Sequence, residues 1–220
     1  MTKRCALIKQ GMLTFEEGLQ LQQEMWECVA SGEWDGALII LEHLPVVTLG
    51  RNHEAPELLL SADEYRKRGI EVVRCKRGGK ATCHNPGQLV GYPILNLGKW
   101  QQDSHWYLRL LEQTLMNTVE KFGIDAGRKE KYTGVWAGDR KIAAIGVSLR
   151  RWITSHGFAL NVNNDLAIFS TIVPCGINEF GVTNMLAEGV AGLSVETVAE
   201  VLVHEMEASL QCSFVIKENE

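Results

Sequence analysis

No stretch of this 220-residue sequence approaches the roughly 18 consecutive apolar residues of a membrane-spanning helix, so no such span is expected. The opening M-T-K-R-C-A-L-I-K-Q-G also lacks the long apolar core of a secretory signal. Lys9 and Gln10 interrupt it, and Glu16 and Glu17 follow soon after. Cysteine is present but never closely paired: Cys5, Cys28, Cys75, Cys83, Cys175 and Cys212 stand at long, irregular intervals. Neither the C-x-x-C pairs of a structural zinc site nor the spacing of a small disulfide-built domain occurs. Free thiols in a reducing cytoplasmic compartment are the expectation. There is no H-E-x-x-H, and the six histidines are far apart, so no metal is expected. The formal net charge is -5, which argues against nucleic acid as a bulk partner.

What is present suits one sizeable core. Hydrophobic residues make up 45% of the chain and charged residues 22%, which fits a single catalytic domain over residues 1–220, two tightly packed subdomains being the rival arrangement. Ala6 to Ile8 reads as a short strand. Thr14 precedes Glu17 by three, a capping box opening a helix that carries Phe15, Leu19, Trp26 and Val29 on one face and stops at Gly32. A-L-I-I-L (37–41) and P-V-V-T-L-G (45–50) read as strands joined at His43 to Pro45. Ser61 and Glu64 cap a second, short helix closed by Gly69, and strands follow at 70–75 and 87–97.

Leu108, Leu111, Leu115, Val119 and Phe122 recur at helical spacing between about Ser104 and Phe122. Gly138-Asp139, between two apolar runs, predicts a tight hairpin. Strands are expected through V-S-L-R-R-W-I and H-G-F-A-L-N-V-N. Ser194 caps a last helix through Val195, Val198, Leu202 and Met206, and S-F-V-I (213–216) makes a final strand. Hairpin signals outnumber βαβ units, which predicts an α+β fold with mixed, mainly antiparallel sheets flanked by helices.

Two short stretches draw attention as sites of chemistry. R-G-G-K-A-T-C-H-N-P-G-Q (77–88) crowds two glycines, Thr82, His84 and Gln88 at the end of a strand. It lacks the G-K-[ST] ending of a phosphate loop and is not G-x-G-x-x-G, so close backbone approach to a ligand is its clearest property. In T-I-V-P-C-G-I, Pro174 fixes the entry to Cys175 and Gly176 frees the exit, which places the thiol at a corner; a small apolar side chain filling a gap beneath the turn is the plainer alternative to a reachable nucleophile. A nucleophilic thiol needs a base. His84 and His156 stand beside glycine-rich strand ends, and Lys141 follows the hairpin turn into an apolar strand; a solvent-facing Lys141 is the plainer alternative.

Taken together, R-G-G-K-A-T-C-H-N-P-G-Q-L-V-G-Y, K-I-A-A-I-G-V, H-G-F-A-L-N-V and P-C-G-I resemble the lipoyl(octanoyl) transferase family over nearly the whole chain. The resemblance implies a biotin/lipoate protein ligase-like fold and transfer of an octanoyl group, without a cofactor. The implied donor is octanoyl-acyl carrier protein. The implied acceptors are lipoyl domains of 2-oxoacid dehydrogenase complexes or the glycine cleavage H protein, each modified on a specific lysine. It implies Cys175 as the nucleophile carrying a thioester and Lys141 as the general acid/base. The acyl-binding segments it implies are Arg77, Gly78, Gly79, Lys80, Ala81, Thr82, Cys83 and His84; Ala144, Ile145 and Gly146; and Gly157, Phe158 and Ala159. Cys83 replaces a common aromatic and Asn85 a frequent glycine, so a wider acyl channel and a modest change of chain-length preference are expected. Arg74, Lys76, Arg128, Lys129 and Lys131 are candidates for a positive rim that receives acidic partners. An ATP-dependent lipoate or biotin protein ligase is the alternative.

Overall fold

The computed structural model describes residues 3–53, 57–173 and 180–217. In chain order these form β1 (Lys3–Leu13), α1 (Phe15–Ser31), β2 (Gly36–His43), β3 (Val46–Leu49), α2 (Ala62–Lys67), β4 (Glu71–Arg74), β5 (Ala81–His84) and β6 (Gln88–Leu95). Then come α3 (Ser104–Glu120), β7 (Gly127–Lys129), β8 (Tyr132–Ala137), β9 (Arg140–Arg150), β10 (Ile153–Asn161), β11 (Gly181–Val182), α4 (Val195–Leu210) and β12 (Cys212–Ile216).

The large sheet runs β12-β1-β2-β6-β10-β9-β8-β7, with β11 added against β9, and a three-stranded sheet runs β4-β3-β5. Pairings β1/β2, β1/β12, β3/β4 and β9/β11 are parallel; the others are antiparallel. The mixed, mainly antiparallel α+β architecture expected from the hairpin signals is the one observed.

The apolar run of β2 explains the layering. Leu38 and Ile40 face a core with Leu111, Leu115 and Leu202, whereas Ile39 and Leu41 face Trp26, Val90 and Ile94. A strand buried on both sides needs no polar alternation, so α3 and α4 cover one face while α1 covers the other. Helix α1 opens with the full capping box: the Glu17 N–H donates to the Thr14 hydroxyl at 3.2 Å, and the Thr14 N–H donates to the Glu17 carboxylate at 2.8 Å. It ends at Gly32, whose φ of 85° is the left-handed conformation glycine adopts without strain.

The strands expected at 37–41 and 45–50 form as β2 and β3; though consecutive, they belong to different sheets, β2 pairing with β6 and β3 lying between β4 and β5. One strand expectation is revised. V-S-L-R-R-W-I is not one strand, because Arg151 and Trp152 form a two-residue turn with φ of 55° and 63°, and Arg150 pairs with Ile153. A two-residue hairpin whose twist matches its strands requires left-handed backbone at both turn positions, here without glycine or asparagine to announce it.

Candidate active site

The small sheet and its glycine-rich loop lie against β9 and β10, where Gly78 donates its N–H to the Val147 carbonyl at 2.9 Å. The space between the sheets is a cleft of about 520 Å³, counting the part that is open to solvent. Of the residues singled out in the sequence, Arg77, Gly79, Lys80, Thr82, His84, Lys141, Ala144, Ile145, Gly146, Gly157, Phe158 and Ala159 line it.

Gly78, Ala81 and Cys83 do not line it, and the two-residue period of a strand accounts for the last two. Thr82 and His84 face the cleft, whereas Ala81 and Cys83 pack with Val47, Leu49, Tyr65 and Ile172 on the other side of β5. The Cys83 thiol is directed at the Ile168 carbonyl, 3.6 Å away. Cys83 therefore trims the small sheet's own core, and the channel width expected to follow from it is set elsewhere.

Two glycines, Gly146 and Gly157, keep the floor clear of side chains, and a third, Gly91, lies beside them on β6. Gly146 and Gly157 pair directly across β9 and β10, and Gly91 of β6 faces Phe158. A Cβ on Gly157 would stand 2.1 Å from the Gly91 carbonyl oxygen, and one on Gly91 would stand 2.1 Å from the Phe158 ring. Only glycine leaves room for the ring to lie over the sheet at this point.

Lys141 reaches the cleft through an irregularity in β9. Val135 pairs with Ala143, but the next residue of β8, Trp136, pairs with Lys141, so one strand carries an extra residue. Such a bulge reverses the alternation, and Lys141 joins Ala144 and Gly146 on the cleft side while Ile142 and Ala143 enter the core. The amine donates to the Thr133 carbonyl at 3.3 Å and stands 4.8 Å from the centre of the Trp136 ring. A second hollow, bounded by Gln88, Asn161, Phe169 and Val182, shares Thr82, Lys141, Ala144 and Ala159 with the main cleft.

The inner end is built from Phe15, Tyr92, His84 and His156. His84 Nδ1 lies 2.8 Å from Gln88 Oε1, while the Gln88 amide donates to Asn161 at 2.8 Å, so Nδ1 carries the ring proton. Burial, followed by the neighbouring His43, pushes the His84 pKa down to about 3. Burial, then Arg77 and Arg51, brings His156 to about 4. Both imidazoles are neutral at physiological pH. They offer polar atoms without fixed charge, a lining compatible with an apolar guest. His156 also has a φ of 57° inside a strand, and its N–H donates to the buried Gln22 side chain at 2.8 Å. Phe15 and Tyr92 were visible in the sequence only as apolar members of a helix and a strand.

Arg77 lines the cleft but commits its guanidinium to the scaffold. Nη2 donates to the Thr48 carbonyl at 2.6 Å, and Nη1 donates to the Gly78 carbonyl at 3.0 Å. Buried Glu57 accepts from the Ala81 N–H at 2.9 Å, lies 2.9 Å from His53 Nδ1 and 3.7 Å from Lys80 Nζ. These contacts fix the glycine-rich loop to β3.

Cys175 lies outside the described residues. The described chain resumes at Phe180, whose ring packs 5.5 Å from that of Trp136, and Val182 is the strand partner of Lys141. No cluster of three or more metal-binding side chains occurs among the described residues, and none of their helices is long and apolar enough to cross a membrane.

Comparison with known proteins matches residues 14–207 to a family model described as the lipoyl protein ligase A/B catalytic domain. An octanoyltransferase of Caldanaerobacter subterraneus subsp. tengcongensis is 46% identical over 212 residues, covering 96% of this chain and 92% of its own. One of Clostridium kluyveri is 51% identical over 174 residues, covering 79% and 75%. Among solved structures, a lipoate-protein ligase A bound with ATP superposes with a TM-score of 0.77 at 20% identity, covering all of this chain and 90% of that one. The biotin protein ligase of Aquifex aeolicus gives 0.52 at 12%, covering 96% and 70%. The two-sheet architecture around the cleft is thus shared with both kinds of ligase.

Proposed function

The chain belongs to the lipoyl protein ligase A/B catalytic domain family, and from that premise we propose how it works as an acyltransferase of the octanoyltransferase type. Octanoyl-acyl carrier protein delivers the acyl group to Cys175, and the resulting thioester is passed to a lysine amine of a lipoyl domain, on a 2-oxoacid dehydrogenase component or an H protein. The observation that carries the proposal is Lys141, turned by the β9 bulge into a cleft with a side-chain-free floor and a lining of neutral imidazoles.

The chemistry needs one base used twice. In acylation, the Lys141 amine takes the Cys175 proton, the sulfur attacks the donor carbonyl, and the C–S bond to the carrier's thiol breaks. The departing thiolate takes the proton back from Lys141. In transfer, Lys141 accepts a proton from the incoming amine as the new amide bond forms, and Cys175 leaves as thiolate. A thioester donor already holds the energy of the second thioester, so no ATP enters.

The Gly146–Gly157 strip accommodates the acyl chain, each buried CH₂ contributing about 0.8 kcal/mol. Arg77, Thr82, His84, Ala144, Ile145 and Phe158 form its walls, while Gly78, Ala81 and Cys83 hold the wall up from behind. The exposed side chains of Lys131, Arg74 and Lys76 steer acidic carriers toward the opening.

Mixing the purified protein with octanoyl-carrier protein, without ATP, should add one octanoyl mass to the peptide containing Cys175, and adding a lipoyl domain should discharge it. Lys141→Ala should block both steps. Transfer that requires ATP and leaves no acylated peptide would establish the ligase chemistry instead.

A further inference from the structure

Glu112 is a carboxylate on α3 with only 3% of its surface exposed. One of its oxygens, Oε2, accepts from Arg109 Nη1 at 2.7 Å and from Arg128 Nε at 2.8 Å. Two guanidinium groups on one carboxylate meet the requirement that a buried charge be paired and hydrogen-bonded. The other oxygen, Oε1, does something different: it accepts the backbone N–H of Gly134 at 3.2 Å.

The N–H of Gly134 and the C=O of Thr133 are the two polar ends of one peptide unit, and they point in opposite directions. The carbonyl end accepts from Lys141 Nζ at 3.3 Å. A single peptide plane is thus gripped from α3 by a carboxylate and from β9 by the proposed acid/base. Gly134 is the residue this geometry demands. Its φ is 132°, and a Cβ there would stand 2.6 Å from the Ala143 carbonyl oxygen and 3.4 Å from Lys141 Cε. A charge-assisted bond at the N–H also polarises the peptide and strengthens its carbonyl as an acceptor.

We propose that Glu112 is a positioning residue for Lys141: it fixes the plane of the Thr133–Gly134 peptide and thereby the carbonyl on which the lysine amine is anchored. The proposal rests on the assignment of Lys141 as acid/base. A lysine on a long flexible stem reaches many places, and a fixed acceptor narrows them to one. Nothing in the sequence links Glu112 to Lys141, because the connection passes through the backbone of a third element.

The test is a mutant cycle on the full chain, reading octanoyl transfer from carrier protein to lipoyl domain. Lys141→Ala should cost about 10²- to 10⁴-fold in rate, the usual share of an acid/base group. Glu112→Ala should lower kcat by about ten- to a hundredfold, the cost of an ångström-scale misplacement, with KM for both substrates unchanged. Glu112→Gln should not restore the rate, since an amide has a single acceptor oxygen and cannot accept from Gly134 while also accepting from the two arginines. Glu112→Asp, which keeps the charge for both arginines but withdraws the oxygen, should resemble Glu112→Ala and serves if the alanine variant fails to fold. In the Lys141→Ala background, Glu112→Ala or Glu112→Asp should cost nothing further.

An equal loss in both backgrounds would mean general damage to the fold and would overturn the proposal. So would wild-type kcat in folded Glu112→Ala or Glu112→Asp. Wild-type activity in Lys141→Ala would remove the acid/base assignment itself, and the positioning role with it.

Discussion

The Tyr92 hydroxyl lies 2.7 Å from His43 Nε2, and the other nitrogen of that ring lies 3.0 Å from the Leu13 carbonyl. A carbonyl only accepts, so Nδ1 carries the proton, and burial holds the ring below its ordinary pKa and neutral. Nε2 is then a bare lone pair that accepts a hydrogen bond from the tyrosine hydroxyl. Tyr92→Phe would leave that lone pair buried without a donor. The expected cost is about 1–3 kcal/mol of stability, read as a lower urea midpoint. Because the hydroxyl is committed to His43, kcat should change little. An unchanged midpoint would mean that the pair contributes nothing.

His43, His84 and His156 together predict a dependence of stability on acid. Burial lowers all three, with His84 at about 3 and His156 at about 4, against about 6.5 in the unfolded chain. Between these limits the unfolded state binds protons that the folded state refuses, so stability rises with pH across the window. Stability gained above about pH 6.5 should be lost progressively as pH falls toward 4 and then 3. Urea denaturation at pH 7 and pH 5 should give the smaller unfolding free energy at pH 5. Equal values would show that these imidazoles are not held neutral by the fold.

Why some of this was legible in the sequence and some was not follows from the range of each interaction. The Thr14/Glu17 and Ser61/Glu64 boxes and the Gly138-Asp139 hairpin are complete within four residues, and each formed where the local pattern put it. The crowding in residues 77–88 likewise marked a wall of the cleft. The separation of β3 from β2 was hidden, because V-V-T-L would suit either sheet and only distant partners decide. The Arg151–Trp152 turn was hidden because neither residue favours positive φ. The orientation of Lys141 depends on a bulge whose register is defined by β8, and the side of β5 that Cys83 faces depends on which residues of that strand pack against the rest of the small sheet. Glu112 carries no local signal, because its link to Lys141 passes through the backbone of β8.

The glycine pair on the cleft floor separates folding from specificity. At Gly157 an added methyl meets backbone, the Gly91 carbonyl oxygen at 2.1 Å, and β6 cannot move without losing its ladder to β10. Gly157→Ala should destabilise by about 3 kcal/mol or more, seen as insoluble or thermally labile protein. At Gly146 the new atom would meet Arg77 Cδ at 3.0 Å and the Gly78 carbonyl at 3.1 Å, contacts that a small shift of the loop relieves. Gly146→Ala should fold and narrow the cleft. Losing contact with one methylene corresponds to about a fourfold fall in kcat/KM for octanoyl relative to hexanoyl thioester. An unaltered ratio would place the acyl chain elsewhere.

The proposed positive rim is not uniform, and its salt dependence should reveal which members act. Arg128 is tied to Glu112, and Lys129 pairs with Asp139 at 2.5 Å while lying over the Phe180 ring, so both already have work inside the protein. Lys131 is exposed and makes no ion pair among the described residues. It also borders a hollow with His105, Arg109 and Tyr132, and it stands two residues along the chain from Thr133, whose carbonyl accepts from Lys141. Lys131→Glu should therefore lower kcat/KM for an acidic carrier-protein donor at low salt while leaving kcat unchanged, because long-range attraction accelerates encounter rather than chemistry. At 1 M salt the screening length falls to about 3 Å, and variant and wild type should converge. Octanoyl-pantetheine, which carries no carrier protein and no charge for the rim to attract, should be handled equally by both at every ionic strength. If the deficit of Lys131→Glu persisted at high salt or with the uncharged donor, Lys131 would be acting on the cleft and not on docking.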